Sequence, residues 1–590
     1  EEYAQFHNDF ETWVRLSGRQ DEDLEDNKLV FCRESVYVQL NKLLLIRIAE
    51  DKGLTNRMVS NGGVEDYFEF WDDYTKYVER NYVDLFELAS EELSEIYEHL
   101  FARRIFDWEI RDDADLDEVI QRTLWHLNHF DFSEVNRDIL GHLYEEHLSP
   151  EERKKLGEFY TPTAIIDLIL DSVDYTPDEP LEREDYDLLD PACGSGGFLV
   201  RAARRLLERL DRKDVPAGET IEIVRQRLHG FDINPFACHI AEINLLFQVI
   251  DKYQTAKEEN PDFTLDGFNI YQTDSLRSDN QASLTALHSS EVQRRYREER
   301  REANRLKTRS DYRFVIGNPP YVRKQNVPTG PARAEYDDYD VAKWNYDLSI
   351  LLFRKAGDWL REEGQVGLIT SNKFMGAHYG GQVREFLSES CGLKQLIDFG
   401  DLPVFGEVTA YPVICISGHQ RAGDGVNYLE VNNLEFLELQ TVVEAEAGVL
   451  PPSAFEGYNW SLTDAETYAV LQKMERYGVP LGELLENEIY RGVVTGLNEA
   501  FVIDGEKREE LIDEDPKSEE IIKPLVIGKD IKRYEVRRRD RWLIFTRRGI
   551  DIDQYPAVRE HLEQWRQQLE VKRNLRCGFS AVLEGVRLPE

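Results

Sequence analysis

Phe314-Val315-Ile316-Gly317-Asn318-Pro319-Pro320-Tyr321 is the stretch on which the fold turns. Its apolar half reads as a short buried strand, and its second half as a rigid loop. An Asn at a strand's carboxyl end, followed by two prolines that fix φ, sets a carboxamide at the crevice where open α/β sheets bind ligands. That carboxamide can accept a hydrogen bond from an exocyclic amine, and Tyr321 offers a flat face for stacking. Alone, such a tetrapeptide is equally well a turn closing a strand, so its neighbours have to decide.

Between about 155 and 420, strand-like runs alternate with helical patterns, which predicts a parallel, doubly wound sheet. The candidate strands are Tyr186–Leu189, Leu228–Phe231, Phe314–Ile316, Val366–Thr370 and Leu393–Phe399, with Tyr411–Ser417 expected as an antiparallel edge. Residues 291–309 read as an exposed charged helix, and 322–342 as a long loop beside the crevice. Directly after the first strand comes Asp190-Pro191-Ala192-Cys193-Gly194-Ser195-Gly196-Gly197-Phe198. Its glycines let backbone approach a ligand closely and open a helix over Phe198–Leu210. A dinucleotide fingerprint places its acid about 20 residues further on, whereas here the next strand-end acid, Asp232 in Gly230-Phe231-Asp232-Ile233-Asn234-Pro235, lies 42 residues after Asp190. Asp274, before Ser275, follows after another 42, and Asn318 after another 44. Each acid alone is more often a loop residue or a helix cap. Four such residues at near-equal spacing line one crevice, with Asp232 set to accept ribose hydroxyls and Asp274 an adenine amino group. Upstream, Phe159-Tyr160-Thr161-Pro162 offers Thr161 as N-cap and Pro162 as N1 of an apolar helix whose amino end faces the same crevice.

The bulk properties bound the rest. With 590 residues and 41% hydrophobic content, the chain can hold three or four domains with ordinary cores. No apolar run approaches the ~18 residues of a membrane span, and no signal peptide opens the chain. Six cysteines, Cys32, Cys193, Cys238, Cys391, Cys415 and Cys577, are scattered without metal-ligand spacing, which predicts a reducing cytoplasm and no metal site. The formal net charge is −42, spread through every region. Such acidity opposes phosphate binding, yet its even spread fits a protein kept soluble in concentrated salt, as in a halophile. It leaves function open.

Residues 1–150 look helical, with Val36–Ile48 and Ile139–His147 as the clearest signals and no nuclease-like carboxylate cluster. After 425 the texture changes to mixed α/β, marked by Tyr490-Arg491-Gly492-Val493-Val494-Thr495-Gly496-Leu497-Asn498 and by the basic run Lys532–Arg539. The order of these motifs resembles that of the gamma-group DNA adenine-N6 methyltransferases, in particular Eco57I-like type IIG and IIL restriction–modification proteins. The resemblance implies a Rossmann-like class I S-adenosylmethionine methyltransferase core over 151–425, a helical domain over 1–150 and a target-recognition domain over 426–590. It implies a site-specific cytoplasmic enzyme of restriction–modification or phage defence, methylating N6 of an adenine flipped out of double-stranded DNA. Asn318, Pro319, Pro320 and Tyr321 would be catalytic, with Tyr321 and Phe405 stacking on the two faces of the base. Tyr160, Thr161, Pro162, Asp190, Pro191, Ala192, Gly194, Ser195, Gly196, Asp232, Ile233, Asp274 and Ser275 would hold S-adenosylmethionine. Arg491, Arg537, Arg538, Arg539 and Arg541 would face DNA, although a solvated charged face explains such a run equally well. A cytosine-C5 enzyme would place a nucleophilic Cys where Asn-Pro-Pro stands, and Cys193 reads instead as packing. Methylation of protein glutamine or of RNA, and a silent DNA-binding specificity component, remain alternatives. The chain opens on Glu1 and stops where a recognition domain is expected to run on. That fits a fragment, a truncated product or a methyltransferase-only form, with a nuclease domain or subunit elsewhere.

Overall fold

The structure is a computed structural model that describes residues 2–569 apart from several short stretches, the longest being 134–160, 179–186, 278–289 and 486–492. Expectations for Ile139–His147, Tyr160, Tyr490 and Arg491 lie outside the described residues. Two compact units divide the chain, Glu1–Arg476 and Tyr477–Glu590.

A nine-stranded sheet organises the first unit: β1 (Leu188–Asp190), β2 (Leu228–Asp232), β3 (Asn269–Gln272), β4 (Tyr312–Gly317), β5 (Leu360–Ser371), β6 (Gly392–Asp398), β7 (Pro412–Gly418), β8 (Val426–Glu430) and β9 (Gly448–Leu450). Their order is β3-β2-β1-β4-β5-β7-β6-β8-β9. Neighbours are parallel from β3 through β5, β7 is antiparallel to both its neighbours, and β8 is parallel to β6. The expected doubly wound sheet is therefore present. Because side chains alternate along a strand, Leu188, Phe314 and Ile316 enter one core while Leu189 and Val315 enter the other. The helices Gly197–Arg212 and Pro235–Glu259 cover the first face, and Leu348–Trp359 the second. The amino-terminal helices, including Leu24–Asp51 and Tyr82–Ser94, join the first core. Tyr37 and Phe106 pack edge-on against Phe236 at 5.5 and 6.3 Å, and Tyr97 donates to the buried Glu242 at 2.8 Å.

Several expectations shift. Pro412–Gly418 is buried at every position and sits between β5 and β6, not at the edge. Its place is set by antiparallel pairing with β5 on one side and β6 on the other, which is long-range and not written in the run itself. The expected boundary at 425 falls inside the sheet, since β8 and β9 extend it and the unit runs on to Arg476. The charged helix Ser290–Lys307 is not wholly exposed, because Ala303, Leu306 and Lys307 are buried near its end. The supposed loop 322–342 holds a 3-10 turn over Lys324–Asn326 and a helix over Pro331–Asp337. Strand β3 was not among the candidate strands, its alternating Asn-Ile-Tyr-Gln giving no apolar run.

In the second unit β10 (Val502–Ile503), β11 (Ile522–Pro524) and β14 (Trp542–Ile544) form an antiparallel sheet in the order β10-β14-β11. It packs with Leu497, Phe501, Val558 and Leu562 around a separate core. A hairpin, β12 (Ile531–Lys532) with β13 (Glu535–Val536), stands beside this sheet in sequence.

Candidate active site

Strand order reverses between β1 and β4, and open α/β sheets bind ligands outside the carboxyl ends at such a switch point. The register sets the expected residues there. Leu189 lies opposite Val315 and Asp190 opposite Gly230, so Asp190 and Gly317-Asn318 flank the switch point. Asp232 pairs with Gln272, which brings Thr273-Asp274 alongside on the next strand.

Gly194 and Gly196 take φ of +52° and +86°, a backbone region L-residues rarely adopt. A Cβ on Gly196 would stand 3.0 Å from that of Ala241, so the loop lies directly on the helix Pro235–Glu259. That helix starts at Asn234, whose side chain caps the Phe236 amide at 2.9 Å with Pro235 at its first turn. Asn244 in turn holds the Ser195 carbonyl at 2.9 Å.

The two acids at the loop are differently employed. Asp232 accepts from the amides of Gly194 at 2.9 Å and Asn234 at 2.8 Å, which opposes the upward push of burial on its carboxyl. It ties the glycine loop to β2, and beside it the apolar Ile233 is 48% exposed at the crevice. Asp190 is 1% exposed, and one of its oxygens receives the Ala192 amide at 3.1 Å. Its Oδ2 is buried without a hydrogen-bond partner among the described residues. Burial above all, with Asp232 nearby, pushes its carboxyl up to about 8. A Cβ on Gly317 would come 2.6 Å from Asp190 Oδ1, so only glycine lets β4 approach this carboxyl so closely.

Asp274 accepts from the Leu276 amide at 3.0 Å and from the Tyr336 hydroxyl at 2.6 Å. Lys307 donates to the Asp274 carbonyl at 2.8 Å, and burial lowers that ammonium to about 8. Ser275 donates to the Pro191 carbonyl at 2.5 Å, linking the β3 and β1 loops. Neither Tyr336 nor Lys307 was legible as a site residue, since one lay in a presumed loop and the other ended a charged run.

Thr161 departs from its expected role. The helix runs Thr163–Ser172 with Pro162 at the cap position and no side-chain cap. Thr161 Oγ1 instead accepts from Asn318 Nδ2 at 3.0 Å. Tyr321 and Phe405 meet edge-on, their ring centroids 6.1 Å apart and their planes at 64°. The expected stacking pair is thus brought together, although the two rings would have to turn toward parallel and move apart to hold a flat ring between them. The Cys193 thiol is buried and raised well above its ordinary range, as suits packing and not nucleophilic attack. Among the described residues no His, Cys, Asp and Glu cluster is arranged to hold a metal.

A glycine loop after β1, an acid ending β2, another just beyond β3 and an Asn-Pro-Pro-Tyr loop after β4 thus meet at the carboxyl ends of neighbouring strands. Residues 226–405 match the family model described as Eco57I restriction-modification methylase. It is 26% identical over 437 residues to the type II methyltransferase M.BstVI of Geobacillus stearothermophilus, a match covering 69% of this chain and 70% of that protein. It is 29% identical over 345 residues to the adenine-specific methyltransferase PglX of Streptomyces coelicolor, covering 54% of this chain and 27% of PglX. In fold it is similar to the DNA-bound type IIL restriction-modification enzyme MmeI, with a TM-score of 0.51 at 17% identity over 97% of this chain and 76% of that one.

Proposed function

We propose that this chain is a site-specific DNA methyltransferase of a restriction–modification or phage-defence system, transferring a methyl group from S-adenosylmethionine to N6 of an adenine turned out of the duplex. The observation that carries the reading is Asn318-Pro319-Pro320-Tyr321 at the switch point, with Asp190 and the glycine loop on the adjoining strand end. The residues present fit the cofactor. Buried Asp190 holds an oxygen without a partner among the described residues, Gly194 and Gly196 leave the backbone bare, and the exposed Ile233 offers an apolar surface to a flat ring. Asp232 and Asp274, at successive strand ends, would serve the ribose hydroxyls and the adenine amino group. Tyr160, Pro162, Pro191, Ala192, Ser195 and Ser275 would complete that wall. When bound, S-adenosylmethionine supplies an electrophilic methyl group on a sulfonium.

The protein's own part is positioning. An adenine amino group is a poor nucleophile because its lone pair is delocalised into the ring. Asn318 Oδ1 and the Pro319 carbonyl would accept its two N–H bonds and concentrate that lone pair toward the methyl group. The bond between Thr161 and Asn318 Nδ2 turns the opposite end of the carboxamide, Oδ1, away from Thr161. Pro319 and Pro320 fix the backbone that aims both acceptors. Tyr321 and Phe405 would close on the faces of the extruded base, whose removal from the stack costs a few kcal/mol. Incubating the chain in concentrated KCl with duplex DNA and isotopically labelled S-adenosylmethionine, then analysing nucleosides by mass spectrometry, tests the reading. Labelled N6-methyladenine is expected. Label in RNA or protein but not in DNA would refute it.

A further inference from the structure

The second unit carries a feature the methylation site does not use. Strands β12 and β13 pair Ile531 with Val536 and Lys532 with Glu535, leaving Arg533-Tyr534 as a two-residue loop. Tyr534 takes φ of +66°, where turns ordinarily place Gly or Asn. It is 94% exposed, and Ile531 and Val536 on the strands are 58% and 55% exposed. A bulky side chain held in a disfavoured backbone region at an exposed tip points from strain to function.

The hairpin is also a local reversal of charge. Between Lys529 and Arg541 there are seven basic residues (529, 532, 533, 537, 538, 539 and 541) against three acidic ones (530, 535 and 540), a surplus of four positive charges in a chain of net −42. These cations are not equivalent. Asp530, 1% exposed at the hairpin's root, has Arg539 and Arg541 each within 3.3 Å of its carboxylate, and its carbonyl accepts the Arg537 amide at 2.8 Å. Arg539 and Arg541 therefore brace the base of the hairpin, a structural part beside the contact with DNA expected of the run. Arg537 pairs with Glu535 at 3.0 Å on the surface. Lys532, Arg533 and Arg538 form no ion pair among the described residues, and the Arg533 guanidinium lies 5.4 Å over the Tyr534 ring.

We infer that the hairpin Ile531–Val536 is the element that enters a groove of duplex DNA, with Tyr534 as its tip against the bases and Lys532, Arg533 and Arg538 on the flanking phosphates. A two-stranded ribbon matches the width of the major groove. The excess of positive charge in an otherwise acidic chain favours a polyanion over a neutral or basic partner, and the dense phosphates of a duplex supply that charge. The inference rests on the proposed function only in taking DNA as the polyanion.

The test uses the full chain and two variants, Tyr534→Ala and the double variant Lys532→Ala/Arg533→Ala, all at exposed positions outside the cores. Methyl transfer to plasmid DNA gives KM and kcat, and fluorescence anisotropy with a labelled random duplex gives the salt dependence of binding. Tyr534→Ala is expected to raise KM for plasmid DNA at least tenfold, with kcat and S-adenosylmethionine affinity within twofold of the wild type. The double variant is expected to flatten the dependence of log K on log salt by about 2, one for each phosphate no longer neutralised. A wild type that methylates DNA beside variants unchanged in both measurements overturns the hairpin assignment alone. A wild type that loses duplex binding in these variants yet transfers no label to DNA upholds the hairpin and overturns the methylation reading.

Discussion

Replacing Thr161 by Val separates two roles that the sequence could not tell apart. Thr161 is buried, and its hydroxyl receives Asn318 Nδ2 at 3.0 Å. Valine keeps nearly the same shape but offers no acceptor, so the carboxamide loses the bond that distinguishes its two ends. Losing a hydrogen bond of this kind at the half-buried Asn318 costs about 1–3 kcal/mol. At 1.36 kcal/mol per factor of ten, the barrier to transfer rises enough to lower kcat about fivefold to a hundredfold. Because the missing hydrogen bond orients the acceptor of the reacting amine, KM for S-adenosylmethionine should stay within twofold. Thr161→Ser, which restores the acceptor, should recover most of the rate. Steady-state transfer of labelled methyl groups at saturating DNA separates kcat from KM. A Thr161→Val enzyme with unchanged kcat and a raised KM for S-adenosylmethionine would refute the positioning role and return Thr161 to the cofactor wall.

Four further outcomes are expected. Asn318→Ala should lower kcat by at least a hundredfold while calorimetry finds S-adenosylmethionine affinity nearly intact; retained turnover would remove Asn318 from the chemistry. Burial raises Asp190 from 3.8 to about 8 in the folded chain, so between those values the folded state holds a proton the unfolded chain has lost. This group therefore erodes stability as pH rises from about 4 to 8, and Asp190→Asn should show a smaller fall in Tm between pH 5 and pH 8 than the wild type. An unaltered pH slope would mean the carboxyl titrates normally. Phe405→Ala should raise KM for DNA between fivefold and a hundredfold, since stacking on one base contributes about 1–3 kcal/mol; an unchanged KM would leave Phe405 as packing against Tyr321. With a net charge of −42, Tm should climb between 0.1 and 1 M KCl as the screening length shortens from about 10 to 3 Å, and a flat or falling Tm would separate the acidity from salt tolerance.

Much of the sheet was visible because parallel strands buried on both faces are written as apolar runs: Leu-Leu-Asp in β1 and Phe-Val-Ile-Gly in β4 announced themselves. Asp190 and Asp232 were visible because they end such runs. Strand β3 was harder to read, since Asn269 and Gln272 sit among its few residues, and only the spacing to Asp274 hinted at it. Position within a sheet is a property of long-range pairing, so nothing in Pro412–Gly418 itself said that it would lie between β5 and β6. The partners of the site residues were the least legible of all. Thr161 reaches Asn318 across 157 positions and Tyr336 reaches Asp274 across 62, pairings that no local pattern records.

The bond from Tyr336 to Asp274 bears on how the two halves of the crevice communicate. The chain leaves Asn318-Pro319-Pro320-Tyr321, turns through Lys324–Asn326 and ends its next helix with the Tyr336 hydroxyl on Asp274, while Arg277 grips Glu335 at 2.7 Å. One continuous segment thus joins the Asn318 loop to Asp274. If an occupant of Asp274 displaced the Tyr336 hydroxyl, that segment would offer a covalent route for the change to reach the carboxamide. Any effect it had on binding beside Tyr321 would have to be returned by the same factor.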